Sequence, residues 1–192
     1  VVLNVTRESE SFVFTDVPNS PVPSILRGFS APVKLEYPYS RDELMFLMSH
    51  DSDGFNRWEA GQRLAIDVIQ EMIADIHKNA TEQVGTGAEI TVDQRLISAC
   101  SSVLEQAIAA GKDPRFDRAM IAAMLILPSE SYLAELQDVV DVDAIHEARE
   151  RVRREIAIRL RPQLMAIYEL CEGGQTYEAT GSEIGRRDLR NV

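Results

Sequence analysis

Histidine occurs three times, cysteine twice and tryptophan once in the 192 residues. No apolar run approaches the ~18 to 20 residues that a membrane span requires. Each shortage removes a class of function. Cys100 and Cys171 sit inside apolar periodic runs rather than in loops, so they read as two free buried thiols and not as a secreted disulfide framework. A basic excess is missing too. Lys and Arg number 20 against 31 Asp and Glu, a net charge of −11, which argues against a nucleic-acid footprint and against anionic membranes. The balance fits a soluble cytoplasmic protein. No signal-peptide pattern is visible, so the sequons at Asn4 and Asn79 carry no expectation of a glycan.

What is present is enough for a core, since 45% of the residues are apolar and a chain of this size buries roughly 70% of its unfolded surface. Neither end reads as a natural terminus. Val1 is not an initiator methionine, and Glu183 to Val192 begin a helix that stops without a cap. The chain is expected to be a piece of a longer protein.

Two periodicities divide it. Val1–Thr6 and Ser11–Thr15 alternate like short strands around Arg7-Glu8-Ser9-Glu10, with Phe12 and Phe14 on one face and Val13 on the other. Ala31–Tyr37 reads as a third strand, Val33, Leu35 and Tyr37 facing opposite to Lys34 and Glu36. Three strands cannot manage both edges of a sheet, so they are expected to be the tail of a β-sandwich. Pro21–Leu35, the run PVPSILRGFSAPVKL, is the hinge between the two regimes.

From Ser40 onward the period is helical. Ser40 and Glu43 spell a capping box, and Leu44, Leu47 and Met48 the buried stripe of a helix to about His50. Asp51-Ser52-Asp53-Gly54 breaks it, and Asp53 is placed to cap a helix running to about Lys78, with Trp58, Ala65, Ile69, Met72 and Ile76 in line. Asn79–Ile90 reads as a loop. Thr91 and Gln94 spell a second box, and Gly111 stops that helix. Asp113-Pro114 is expected to open the next, through Met120 and Met124. Pro128-Ser129 restarts the pattern for Leu133 and Leu136, Asp141 caps the longest run, and Pro162 interrupts it before Leu164, Ile167, Tyr168 and Cys171 lead to Gly173-Gly174. Thr180 and Glu183 open a last helix. The fold class is therefore mainly α, an irregular HEAT-like α-solenoid or superhelical bundle preceded by a few β-strands, with 1–38 as sandwich strands plus linker and 39–192 as the helical part.

Residues that could carry chemistry are few. His50 and His77 lie near helix C-termini, where a cation complements the dipole. His146-Glu147-Ala148-Arg149-Glu150 departs from the zinc motif H-E-x-x-H at its fifth position, where Glu150 replaces the second histidine. Asp138, Asp141 and Asp143 cluster at a helix start and serve as caps. Arg149, Arg151, Arg153, Arg154, Arg159 and Arg161 interleave with Glu147, Glu150 and Glu155, giving pairs such as Glu147–Arg151 and Glu150–Arg154. Trp58 beside Phe55 reads as core, or as the seam where helices meet the strand segment. No serine or cysteine has a histidine nearby to activate it. No catalytic, cofactor-binding or metal-ligating residue is assigned.

The wording of the hinge is specific. Pro21–Leu35 closely resembles a segment of the bacterial aminopeptidase N family, the zinc alanyl aminopeptidases, and Phe12-Val13-Phe14, Phe55-Asn56-Arg57-Trp58-Glu59-Ala60-Gly61-Gln62, Leu127-Pro128-Ser129-Glu130 and Leu189-Arg190-Asn191 resemble it in the same order. The resemblance implies four domains in the parent: a β domain, a thermolysin-like catalytic domain, a small β-sandwich and a large C-terminal helical domain. It implies zinc in the full-length enzyme, peptide substrates, and a helical domain that packs on the enzyme's own catalytic domain and limits access to its cavity. The family's H-E-x-x-H zinc helix and G-A-M-E-N segment are both absent between Val1 and Val192. No catalytic role can be carried over, and the chain alone should be inactive. The alternative is a free-standing helical-repeat interaction module.

Overall fold

The computed structural model describes residues 2–81, 91–113, 115–172 and 178–192. Eight α-helices occur among them: α1 (Arg41–His50), α2 (Gly54–Thr81), α3 (Gln94–Ala110), α4 (Arg118–Leu125), α5 (Glu130–Glu135), α6 (Val142–Arg159), α7 (Arg161–Leu170) and α8 (Gly181–Asn191). Ahead of them a single 3-10 turn spans Arg27–Phe29.

Most boundaries follow from capping chemistry. The Ser40 side chain accepts the Glu43 N–H while Glu43 reaches back to the Ser40 backbone, the complete capping box. Ser129, Asp141 and Thr180 each accept the backbone N–H three residues on, satisfying one of the donors that a helix start leaves unpaired. Such caps stabilise by about 1 kcal/mol each. Two starts differ from the sequence expectation. At α3 it is Asp93, not Thr91, that caps, accepting the Arg95 N–H. At α4 the cap is Asp117, one turn beyond Asp113. Asp113 instead folds a local turn, its carboxylate taking the backbone N–H and the guanidinium of Arg115. In both places a carboxylate nearer the periodic run takes over the role. Pro114, the stretch 82–90 and Gly173-Gly174 lie outside the described residues.

The helices stack in a regular way. α2, α3 and α4 contact one another, α6, α7 and α8 follow in succession, and α6 lies on α2, α7 on α3 and α8 on α4. Each helix of the second set thus packs on the one four elements earlier, a two-layer superhelical arrangement rather than a simple chain of sequential neighbours. Between the layers lie Leu64, Ile69, Leu96, Leu104, Ile145 and Val152, all at most 2% exposed. Burying side chains of this size contributes roughly 1.5 to 3 kcal/mol apiece before entropy is counted. At the α4–α8 crossing the backbones approach closely, for a Cβ on Gly185 would stand 2.9 Å from the Ala119 nitrogen. Pro162 falls in the first turn of α7, where a missing N–H costs nothing, and the break it causes centres on Leu160.

The leading segment departs from expectation. Among the described residues, none of Val2–Thr6, Ser11–Thr15 or Ala31–Tyr37 forms a strand. Val2, Val5 and Val13 are 87%, 69% and 87% exposed. A period-2 pattern prepares a face and a row of backbone donors, but a strand exists only when another strand meets it. None of the described residues does so here.

Candidate functional site

The junction between leading segment and helices is the most densely bonded polar region that the hinge forms. It is built on the corner between α1 and α2. Asp51 closes α1, and its side chain is 1% exposed. Its carboxylate accepts the Ser24 hydroxyl, the Arg27 guanidinium and the Asp53 backbone N–H, the last at 2.9 Å. Burial alone would raise the Asp51 pKa; the bonds from Ser24, the Asp53 amide and Arg27 outweigh it, and the carboxyl is more acidic than an ordinary aspartate. Asp53 works in both directions. One oxygen caps α2 through the Asn56 N–H at 3.0 Å, and the other accepts the Gly28 N–H at 2.9 Å. The Asn56 amide completes the lattice, donating to the Ser24 hydroxyl oxygen at 2.8 Å and the Ile25 carbonyl at 2.9 Å.

These bonds hold an unusual backbone. Leu26, Gly28 and Phe29 have φ of 59°, 62° and 55°. Left-handed geometry at Leu26 and Phe29 costs about 1 to 2 kcal/mol each for residues with a Cβ. The hydrogen bonds to Asp51, Asp53 and Asn56 offset that strain. The turn delivers Phe29 onto Phe55, ring centroids 4.1 Å apart, and Phe55 onto Trp58 at 5.5 Å. Trp58 is therefore the seam residue that its position beside Phe55 suggests. Further along, the Tyr39 hydroxyl donates to the Pro23 carbonyl at 2.7 Å, and Arg63 donates to the Tyr37 carbonyl at 2.8 Å while its guanidinium lies over the Tyr39 ring. Behind the corner, Arg57 and Gln106 donate to the Met48 and Ser49 carbonyls at 2.9 and 2.8 Å, satisfying the acceptors that the end of α1 leaves open.

A cleft of about 770 Å³ opens beside this seam, between the stretch from Val33 to Tyr39 and the helices. Its walls mix aromatic and aliphatic side chains with polar ones, Glu59, Arg63 and Asn56 from α2 and Lys34 and Glu36 from the leading segment.

The residues that the sequence singled out are dispersed. His50 stacks on Phe46 at the end of α1. His77 contacts Asp141, Nε2 to Oδ2 2.9 Å, tying α2 to the cap of α6. The His146 ring contacts Glu130, Nδ1 to Oε1 2.8 Å, so its partner is on α5 and not within its own motif. Among the described residues, no three His, Cys, Asp or Glu side chains gather around one point that could hold a metal ion. The donor set does not fit a catalytic zinc. Arg151 pairs with Glu147, while Glu150 takes Arg153 at 2.6 Å rather than Arg154. Arg159 pairs with Glu155 at 2.9 Å, and Arg149 donates to the Pro128 carbonyl. Tyr168 is 46% exposed beneath Arg190. Cys100 and Cys171 are free and buried, and burial pushes the Cys100 thiol up to about 12. No helix among the described residues is long and apolar enough to cross a membrane. Local spacing marks Asp53 as a cap, but it gives no role to Asp51, Asn56 or Arg27, whose partners lie far along the chain. The D-S-D-G run was the available signal.

Comparison with known proteins places this geometry in context. Residues 41–192 match the family described as a domain of unknown function (DUF3458_C) with ARM repeats, and residues 1–38 one described as a domain of unknown function (DUF3458) with an Ig-like fold. The chain is 38% identical over 191 residues to aminopeptidase N of Escherichia coli, covering 100% of this chain and 20% of that protein. It is 35% identical to aminopeptidase N of Caulobacter vibrioides, covering 92% and 18%. The crystal structure of Legionella pneumophila aminopeptidase A in complex with aspartic acid superposes with a TM-score of 0.66 at 26% identity, over 92% of this chain and 19% of that one. The chain thus spans about one fifth of the length of these relatives.

Proposed function

Because this chain belongs to the DUF3458_C family of ARM-repeat domains, we propose that it is a non-catalytic portion of a zinc metallo-aminopeptidase that removes N-terminal amino acids from peptides. The observation that carries this reading is continuity. Similarity to aminopeptidase N runs through 191 residues, across the hinge and both periodic regimes. In this reading residues 1–38 are the last strands of the small sandwich, and 39–192 are the first part of the C-terminal helical domain. The zinc and its ligands belong to the parent protein outside residues 1–192, and no step of peptide hydrolysis is assigned to a side chain of this chain.

The role assigned to the helices is mechanical. A two-layer stack with a continuous core suits a stiff body, and the Ser24–Asp51–Asp53–Asn56 lattice ties the hinge turn to its α1–α2 corner. A stiff body suits a wall that packs on the catalytic domain, admits peptides and excludes folded proteins. The parent is placed in the bacterial cytoplasm.

A free-standing repeat module is the second reading, and the ARM-repeat description favours it. The coding sequence upstream of Val1 separates the two. The proposal expects H-E-x-x-H and G-A-M-E-N in the same reading frame; an initiator codon adjoining Val1 would overturn it.

A further inference from the structure

Glu59 and Arg63 stand one turn apart on α2 and both line the cleft of about 770 Å³ beside the seam. A glutamate four residues before an arginine is the favourable order for a helical ion pair. Here the pair is not made. Arg63 turns away to the Tyr37 carbonyl at 2.8 Å and the face of Tyr39 at 5.2 Å, and its other N–H groups find no partner among the described residues. Glu59 likewise makes no hydrogen bond or ion pair among them. A carboxylate and a guanidinium with N–H groups to spare, the latter also within electrostatic reach of Asp67 on the next turn, therefore share one wall. Val33, Leu35, Phe55 and Tyr132 supply apolar lining, and the cleft's other two charged residues, Lys34 and Glu36, pair with each other at 3.2 Å, which leaves Glu59 and Arg63 to meet a ligand. The volume is in the range of sites that take small organic molecules.

We propose that this cleft binds a free α-amino acid with an apolar side chain. The α-ammonium sits at Glu59, the α-carboxylate at Arg63, and the side chain against Phe55 and Tyr132. The charges select the zwitterion. A single anion would leave Glu59 unopposed, a single cation would leave Arg63 unopposed, and a wholly apolar ligand would desolvate both for nothing. Such amino acids are the products that the proposed parent activity releases, so the site would report product at the seam between the hinge and the helices. The physiological meaning rests on the aminopeptidase reading; the binding itself does not.

The test is a titration of the intact chain with L-phenylalanine and L-leucine, read by the fluorescence of Trp58, the chain's one tryptophan, which stacks on the cleft residue Phe55. Saturable binding is expected, weakened at least tenfold by N-acetylation or by amidation of the ligand. Glu59→Gln should abolish the penalty of acetylation, and Arg63→Gln that of amidation. Unchanged helical circular dichroism establishes that both variants are folded. No saturable response, or equal binding of free and blocked forms, overturns the proposal. Because the readout is binding by this chain, a negative result leaves the aminopeptidase reading standing. Conversely, loss of that reading leaves the binding result intact.

Discussion

Asp51 and Arg27 form an ion pair across the hinge in which the carboxylate side chain is 1% exposed and the guanidinium side chain 44%. The asymmetry decides what the pair does. An exposed arginine alone contributes little, but a buried carboxylate without its donors would be costly. Asp51 is therefore the fixed point, and Ser24, Arg27 and the Asp53 amide are arranged around it.

Replacing that fixed point should free the hinge without unfolding the helices. In Asp51→Ala the Ser24 hydroxyl and Asp53 N–H lose their acceptor, a loss of about 1 to 3 kcal/mol. The Gly28 amide, held by Asp53, should exchange about 10- to 100-fold faster, while amides of α3 and α6 stay protected. Unchanged exchange at Gly28 would show that Asp51 does not hold the turn.

The same carboxylate sets a pH response. Its pKa is lower folded than unfolded, so below about pH 4, the ordinary aspartate value, the unfolded chain binds more protons and folding weakens. The contribution is fully present above that pH and fades as pH falls through the lower folded value. Asp93, drawn well below the carboxylate range by the Arg95 side chain against the effect of burial, with the Arg95 amide and Arg41 assisting, behaves alike at the α3 start. Stability should be flat in this respect near neutrality and fall in acid, and Asp51→Asn should shrink the acid-dependent part of a urea titration. An identical acid slope in wild type and variant would contradict this.

The α4–α8 crossing allows a steric test. Gly185→Ala places a Cβ 2.9 Å from the Ala119 backbone, and overpacking against backbone costs about 1 to 3 kcal/mol. At about 2 to 4 °C per kcal/mol for a chain of this size, Tm should fall several degrees. Gly181→Ala, with nothing within 4 Å, should leave Tm nearly unchanged. Equal effects would mean that the helices do not approach as described.

Buried thiols offer a probe of the core. Cys100, raised to about 12 by burial, and Cys171, also raised by burial, should not react with a thiol reagent at neutral pH until the chain unfolds. Two equivalents should then appear together. Early reaction of either would expose a loose layer.

How much of this was legible in the sequence depends on range. Ser40, Ser129, Asp141 and Thr180 act on neighbours three residues away; Ser40, Asp141 and Thr180 were readable as caps, and Ser129 as the point where the pattern restarts. Thr91 and Asp113 matched the same patterns and lost to Asp93 and Asp117, since two capping side chains near one helix start compete and only geometry decides. Leu96, Ile97, Cys100, Val103, Leu104 and Ala107 were readable as a buried stripe because a long helix repeats its signal. The Asp51 lattice was not legible. Its partners Ser24 and Arg27 lie 27 and 24 residues away, and no local pattern records such a pairing. The strands failed for a related reason: alternation at Phe12-Val13-Phe14 specifies a face, while pairing needs a partner that sequence period does not supply.

The central claim is that this chain supports an aminopeptidase without performing its chemistry. Purified chain supplied with zinc, assayed on an alanyl anilide with and without chelator, tests it most directly. The expected result is hydrolysis indistinguishable from buffer in both conditions; turnover that the chelator abolishes would contradict it.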